Sequence, residues 1–277
     1  MTSPLADRVA LVSGSGRGIG REIALKLAAA GAAVVVNDLD PDVAERTAAD
    51  ITAAGGRATT CPGSVTADGF AERFVGTAVD TFGGLHIVVN NAGYTWDGVL
   101  QKMSDEQWDD ILDVHLKAPF RILRAAQPVI SAAVRVERAA GGPRVTRKVV
   151  NISSIAGTTG NAGQANYSSA KAGVTGLTRT LAKEWGRYDV TVNCVAFGLI
   201  RTRLTEAAAG GDASIDVGGR RIRVGVNPDL LAQLETGIPL GRAGTPAEAA
   251  GAVYLLCIPE SDYVSGQVLV CGGGFGG

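Results

Sequence analysis

Residues 9–20 read Val9-Ala10-Leu11-Val12-Ser13-Gly14-Ser15-Gly16-Arg17-Gly18-Ile19-Gly20. Four apolar residues suit a buried strand, the glycines that follow suit a tight turn, and Ile19 to Ala30 has the alanine- and leucine-rich pattern of a helix. Strand, glycine turn and helix in that order make the place where an open α/β sheet holds a pyrophosphate. Glycine lets the backbone approach the phosphates, and the helix N-terminus offers free N–H groups and positive potential. A second strand, Ala33 to Asn37, leads to Asp38, 18 residues beyond Gly20. A carboxylate there can accept hydrogen bonds from an adenosine ribose and would repel a 2′-phosphate, so NAD is the expected cofactor. Arg17 pulls toward the alternative, NADP, because a guanidinium in the loop could meet that phosphate. Asp38 weighs more, since it opposes the phosphate directly.

Outward from this loop, short β-branched runs keep alternating with amphipathic stretches. A helix opens at Asp40-Pro41, and a helix–strand pair ends near Cys61. Ile87 to Val89 and Val149 to Ile152 read as strands, Gln164 to Gly186 as a helix, and Val190 to Val195 and Val268 to Val270 as further strands. Ser104-Asp105-Glu106-Gln107 and Thr245-Pro246-Ala247-Glu248 are capping boxes. Nearly continuous apolar strands separated by helices indicate a parallel sheet covered on both faces, and right-handed crossovers make it doubly wound. The expectation is α/β: a Rossmann-type doubly wound parallel sheet in three α/β/α layers, one domain over residues 1–277. Ala139 to Arg144 is a polar interruption. Arg201 to Asn227, with Gly210-Gly211 and Gly218-Gly219, is expected to be an irregular insertion, a substrate lid at about 201–230.

Composition narrows the class. The net charge of −1 argues against a dedicated nucleic-acid binder or a polybasic membrane anchor. No apolar run approaches the roughly 20 residues needed to cross a bilayer, and no signal peptide is evident. Cys61, Cys194, Cys257 and Cys271 lie far apart with only His86 and His115 to help them, so neither a metal site nor a disulfide framework is expected. A cytoplasmic protein follows. Glycine, at 38 of 277 residues, is about twice its usual share of ~7%. The loop explains part of that; the tail Gly272-Gly273-Gly274-Phe275-Gly276-Gly277 reads as a flexible end.

Tyr167 and Lys171 stand four apart on one helix face. A phenol with pKa about 10 is a poor acid–base catalyst at neutral pH, and a nearby ammonium should lower it toward the working range. Ser154 lies just past the C-terminal end of the Val149–Ile152 strand, where open sheets gather ligands, and its hydroxyl could align a substrate carbonyl with the phenol.

Ser13 to Gly20, Asn90-Asn91-Ala92-Gly93, Ser154 and Tyr167-Ser168-Ser169-Ala170-Lys171 together resemble the short-chain dehydrogenase/reductase family, from about Arg8 to the C-terminus. The resemblance implies an NAD(P)-dependent oxidoreductase interconverting a ketone and a secondary alcohol. Tyr167 would be its general acid/base, Ser154 would polarise the carbonyl, and Lys171 would tune the phenol and bind the nicotinamide ribose. It assigns to the cofactor Gly14, Ser15, Gly16, Arg17, Gly18, Ile19 and Gly20, then Asp38, Ser64, Val65, Asn91, Ala92 and Gly93. Tyr167, Lys171, Gly198, Ile200 and Thr202 complete the set. Gly160 to Tyr167 and Ile238 to Arg242 are most similar to the 3-oxoacyl thioester reductases, whose substrates ride on acyl carrier protein or coenzyme A. A steroid, sugar or polyketide ketone is the alternative substrate, and a non-catalytic dinucleotide-binding regulator a further one. The resemblance also implies a homo-oligomer, tetramer or dimer, built through helices near Ser104–Arg135 and Gln164–Gly186.

Three residues depart from the family pattern. His115 stands where an asparagine usually holds a water of the proton relay; it either continues that relay or is a packed helix residue. Phe197 replaces a proline, and Ser64 replaces an aspartate beside adenine. Gly218 to Arg223 and Arg187 could receive a phosphate or a carrier-protein acid, or be solvated turns.

Overall fold

Continuous apolar runs in the central strands dictate a sheet with two covered faces. In β1 (Val9–Val12), Ala10 and Val12 point into one core cluster and Val9 and Leu11 into the other. All four are buried to 3% exposure or less, which at roughly 1.5–3 kcal/mol per large side chain anchors the centre of the sheet. The computed structural model describes residues 3–202, 214–217, 219–223 and 228–275.

The chain proceeds from β1 through α1 (Gly18–Ala29), β2 (Ala33–Val36), α2 (Pro41–Ala53), β3 (Arg57–Thr60), α3 (Phe70–Phe82) and β4 (Ile87–Asn90) to α4 (Asp105–Leu112) and α5 (Ala118–Ala139). It continues through β5 (Arg147–Ser154), the short α6 (Ala156–Thr159), α7 (Ala165–Trp185), β6 (Val190–Phe197), β7 (Ser214–Val217), β8 (Arg220–Arg223), α8 (Pro228–Thr236), α9 (Pro246–Leu255) and β9 (Val268–Cys271). Seven strands form one sheet in the order β3-β2-β1-β4-β5-β6-β9, with every neighbouring pair parallel. The order reverses between β1 and β4, and ligands of open α/β sheets bind at such a switch point, outside the carboxyl ends of the strands. Residues of α1, α2 and α9 fill one cluster, and residues of α3 and α5 fill the other. The expected doubly wound parallel sheet covered on both faces is the observed one.

Three expectations change. The insertion is not wholly irregular: β7 and β8 pair antiparallel, Ser214 opposite Arg223, and α8 follows. Alternating Ser214-Ile215-Asp216-Val217 and a turn at Gly219 (φ +83°) allow that hairpin. Gly210, Gly211 and Gly218, expected to loosen a lid, lie outside the described residues. The glycine tail is not a loose end as far as Phe275. Leu240 N–H donates to the Gly273 carbonyl, and a Cβ on Gly274 would press on Pro239 at 2.8 Å, so these glycines permit a close turn against residues 238–240. Gly276 and Gly277 lie outside the described residues. Finally, β5 begins two residues earlier than its apolar run, at Arg147 and Lys148, both buried. Arg147 is tied to Glu137, and Lys148 to Asp262 at 2.7 Å, which is how the two charges are tolerated.

Among the described residues no helix is long and apolar enough to cross a membrane, and no cluster of His, Cys, Asp and Glu could hold a metal ion. The four cysteines are free thiols.

Candidate active site

The glycine turn joins β1 to α1, and its conformation explains its composition. Gly14 and Gly18 have φ of +61° and +56°, where a side chain is strained. At Gly16 a Cβ would lie 2.6 Å from an Asp38 carboxylate oxygen, and at Gly20 it would overlap the Gly14 carbonyl oxygen and the Asn91 amide. The helix beyond is left open at its start. Whereas Asp40, Ser104 and Thr245 cap α2, α4 and α9 with their side chains, Arg17 makes no capping bond to α1, and its first turn carries no acid. The space where a Gly18 side chain would project is empty to 4 Å. Uncapped N–H groups facing open space are what a pyrophosphate requires, so this loop fits a dinucleotide.

Buried polar groups hold the loop in place. Asn37 follows β2 and accepts the Gly14 N–H on its side-chain oxygen (3.0 Å) while donating to the Cys61 and Gly63 carbonyls, both at 3.0 Å. Ser13 Oγ receives the N–H groups of Asn91 and Ala92, and the Asn91 amide donates back to the Ser13 and Gly14 carbonyls. The Asn90–Gly93 stretch therefore braces the loop. Asn37, missed in the sequence, was signalled only by a polar residue ending an unbroken apolar run.

Asp38 stands beside the turn at the end of β2. Arg17 does not reach outward as a phosphate ligand would: its Nε lies 3.7 Å from Asp38 and its Nη2 3.4 Å from Asp40. Ser64 Oγ shares a hydrogen bond with Thr66 Oγ1 (2.8 Å), and Val65 is buried in the core. A Cβ on Gly198 would press on Gly272, while Ile200 pairs with Gly244 and is buried; Thr202 follows at the edge of the insertion.

At the carboxyl end of β5, Ser154 closes the strand; its hydroxyl donates to the Phe197 carbonyl at 3.4 Å and stands near enough to the Tyr167 phenol of α7 to favour its ionised form. One helical turn on, the Lys171 ammonium lies 5.5 Å from the Tyr167 ring centre and donates to the Ile152 carbonyl at 2.7 Å. The three residues expected to act together are brought together. The expected lowering of the phenol is not found. Burial pushes Tyr167 up to about 12, opposed by the nearby Ser154 hydroxyl and reinforced by the charge of Asp97. Burial also brings Lys171 down to about 8. Desolvation is the largest influence on the phenol, and the Lys171 ammonium is turned toward a backbone carbonyl.

His115 sits in a π-helical turn, Asp113–Lys117, between α4 and α5, a widening often found at functional sites. Its Nε2 lies 2.6 Å from the Tyr94 carbonyl, which can only accept, so Nε2 carries the proton. Among the described residues its buried Nδ1 has no partner, and its ring stands edge-on to Tyr167 with centres 5.0 Å apart. Burial, and then Lys171, hold it well below the usual histidine range, so it is neutral. A Cβ on Gly93 would overlap this ring: Gly93 is small to admit His115.

Arg220 of β8 reaches back to the same end of the sheet. Its guanidinium stacks 4.9 Å over Trp96 and pairs with Glu106 (2.5 Å) and Asp110 (2.6 Å) of α4. It is engaged by acids of its own chain and is not a free receptor for phosphate. Arg187 lies beyond the far end of α7, stacked on Tyr188, away from the site.

A family model described as enoyl-(acyl carrier protein) reductase matches residues 14–276. The chain belongs to the short-chain dehydrogenase/reductase family. It is 37% identical to the 3-oxoacyl-[acyl-carrier-protein] reductase of Synechocystis sp. over 98% of this chain and 97% of that one. It is 36% identical to the 3-oxoacyl-[acyl-carrier-protein] reductase of Vibrio cholerae over 98% of each chain. It is also 37% identical to the (2S)-[(R)-hydroxy(phenyl)methyl]succinyl-CoA dehydrogenase subunit of Thauera aromatica over 97% of each. This short-chain dehydrogenase/reductase is an oxidoreductase whose cofactor is a nicotinamide dinucleotide.

Proposed function

We propose that this enzyme reduces a 3-oxoacyl thioester, carried on coenzyme A or acyl carrier protein, to the 3-hydroxyacyl form, with NADH as the preferred reductant. The observation that carries the reading is the meeting of Ser154, Tyr167 and Lys171 at the switch-point end of the sheet, beside an uncapped glycine loop. The names of the Synechocystis, Vibrio and Thauera relatives, all thioester enzymes, support the substrate class.

The bound nicotinamide supplies the hydride. Gly14 to Gly20 would hold the pyrophosphate, Asp38 the adenosine ribose and Lys171 the nicotinamide ribose. Ser64, Val65, Asn91, Ala92, Gly198, Ile200 and Thr202 would complete the pocket. Ser154 Oγ donates to the ketone oxygen and orients it on the phenol. Because Tyr167 is neutral at physiological pH, its O–H gives the proton to the oxygen as charge develops there. Lys171 and Ser154 stabilise the phenolate left behind. His115 Nδ1, a buried acceptor, would take up a proton-relay water in place of the family's asparagine.

The Lys171 charge sets the pH profile. Its pKa is lowered to about 8, so the ammonium is present below that pH and lost above it. kcat/KM for reduction should stay level through neutral pH and fall about tenfold per unit above about 8. A profile with no break in that region would show that the Lys171 charge is not required.

NADH preference rests on Asp38 and Asp40, which crowd the 2′ position with negative charge and hold Arg17 between them. Asp38→Ser should raise kcat/KM for NADPH relative to NADH by about tenfold or more, of the order expected for removing one facing charge. A higher kcat/KM with NADPH in the wild type would overturn the assignment. The thioester reading is tested by acetoacetyl and longer 3-oxoacyl thioesters set against alcohol, sugar and steroid ketones. It fails if the thioesters are inert while another ketone turns over. Homo-oligomerisation through α4, α5 and α7 and a cytoplasmic location complete the proposal, the former checked by light scattering.

A further inference from the structure

The Arg220 side chain grips two elements at once. Its guanidinium lies over the Trp96 ring, in the loop after β4, while Nη2 reaches Glu106 and Nη1 reaches Asp110 on α4. A planar fork can stack on a ring and still offer separate N–H groups to two acids. Those acids stand about one helical turn apart, with Gln107 between them. Ile222, two residues along β8 and therefore on the same face as Arg220, is buried, so this face of the hairpin is the one laid against the protein.

The two gripped elements meet again at Asn166, which is fully buried. Its Nδ2 donates to the Trp96 carbonyl at 3.2 Å and to the Gln107 carbonyl at 2.9 Å, so both hydrogens of the amide are used. Its Oδ1 accepts the Tyr167 N–H at 2.8 Å. Tyr167 lies in the first turn of α7, where a backbone N–H has no partner within the helix, and the Asn166 side chain supplies one. Asn166 cannot turn to other partners without leaving a buried amide unpaired, which is costly. Two further ties join the loop to the chain entering α7: Gly98 N–H donates to the Gly163 carbonyl at 2.8 Å, and Gln164 Nε2 donates to the Asp97 carboxylate at 2.9 Å. The pieces that Arg220 clamps are therefore the pieces that hold the start of the Tyr167 helix.

We propose that Arg220 is a positioning residue for Tyr167: docking of the β7–β8 hairpin through its guanidinium fixes Trp96 and α4, and through Asn166 the turn that carries the phenol. The insertion thereby ties proton transfer to its own docked state. Arg220 acts through these contacts rather than on the reacting atoms. The inference deepens the proposed function and rests on Tyr167 as the proton donor.

The acetoacetyl thioester of N-acetylcysteamine, which carries no charge, is the probe substrate, with NADH saturating. Arg220→Ala should lower kcat by about tenfold, the scale of a small misplacement of a reacting group, while KM for the thioester changes by about threefold or less and Kd for NADH stays as it was. Arg220→Lys keeps the charge but loses the planar fork, so it should recover only part of kcat. Glu106→Gln combined with Asp110→Asn leaves the arginine in place without its acids and should lower kcat in the same direction. Arg187→Ala, which removes an arginine stacked on Tyr188 away from the site, is the control and should change neither constant. Raising salt to about 1 M, where the screening length falls to about 3 Å, should lower kcat of the wild type and leave that of Arg220→Ala level. Independently of turnover, amide exchange in a peptide covering Tyr167 should quicken by about tenfold in Arg220→Ala. An unchanged kcat, an effect on KM alone, or unaltered exchange at Tyr167 would overturn the inference. If the wild type reduces no thioester, the substrate reading fails, and the exchange comparison, which needs no substrate, decides this one.

Discussion

Tyr167→Phe should lower kcat for ketone reduction by about 10²–10⁴-fold, the usual contribution of a positioned general acid, while NADH still binds. The phenyl ring fills the same space against His115 and keeps its place on α7, so packing changes little. What disappears is the phenolic O–H beside Ser154. The ketone oxygen would then have to take its proton from water, which the site does not position. Steady-state kinetics with NADH fluorescence binding as a parallel readout checks both halves. Near-normal turnover would remove Tyr167 from the mechanism. Ser154→Ala, which leaves the phenol in place, should cost less than Tyr167→Phe.

Gly20→Ala should disable the cofactor site. The added methyl would overlap the Gly14 carbonyl and the Asn91 side chain, and Gly14 is backbone that cannot swing aside. Relieving the overlap means moving α1 away from the turn, and overpacking of this kind costs about 1–3 kcal/mol. It also misplaces the N–H groups meant for the pyrophosphate. The expected result is a Kd for NADH raised by about tenfold or more, together with a lower Tm. Gly76→Ala is the control. Gly76 lies in α3, and its added methyl would meet only an Asp80 oxygen at 3.9 Å, so that variant should be neutral or more stable by about 0.5–1 kcal/mol. A Gly20→Ala protein that binds NADH normally would contradict the role given to the loop.

The fold was legible because its signals are local and repeat. Apolar runs of four residues, capping boxes at Ser104 and Thr245, and the glycine turn after Val12 each report on nearby residues alone. The trio Ser154, Tyr167 and Lys171 was legible from spacing joined to family resemblance. Features that depend on distant partners were not. The burial of Arg147 and Lys148 depends on Glu137 and Asp262. The roles of Asn37, Asn166 and Gln164 depend on loops brought to them by the sheet. The phenol's pKa was misjudged because spacing reveals that a cation is near but not how much solvent both groups lose, and here desolvation is the larger effect. His115 shows the same limit. Its replacement of an asparagine was visible, yet its dependence on the smallness of Gly93 appears only when the π-helical turn brings the ring against that backbone.

The central claim is that Tyr167, set by Ser154 and Lys171, delivers the proton that completes reduction of a thioester-bound ketone. The most direct measurement incubates acetoacetyl-coenzyme A and NADH with the wild type and with Tyr167→Phe, and separates the products by chromatography. The account predicts 3-hydroxybutyryl-coenzyme A in step with NADH loss for the wild type, and almost none for the variant. Equal product from both proteins, or NADH loss with no hydroxyacyl product, would contradict it.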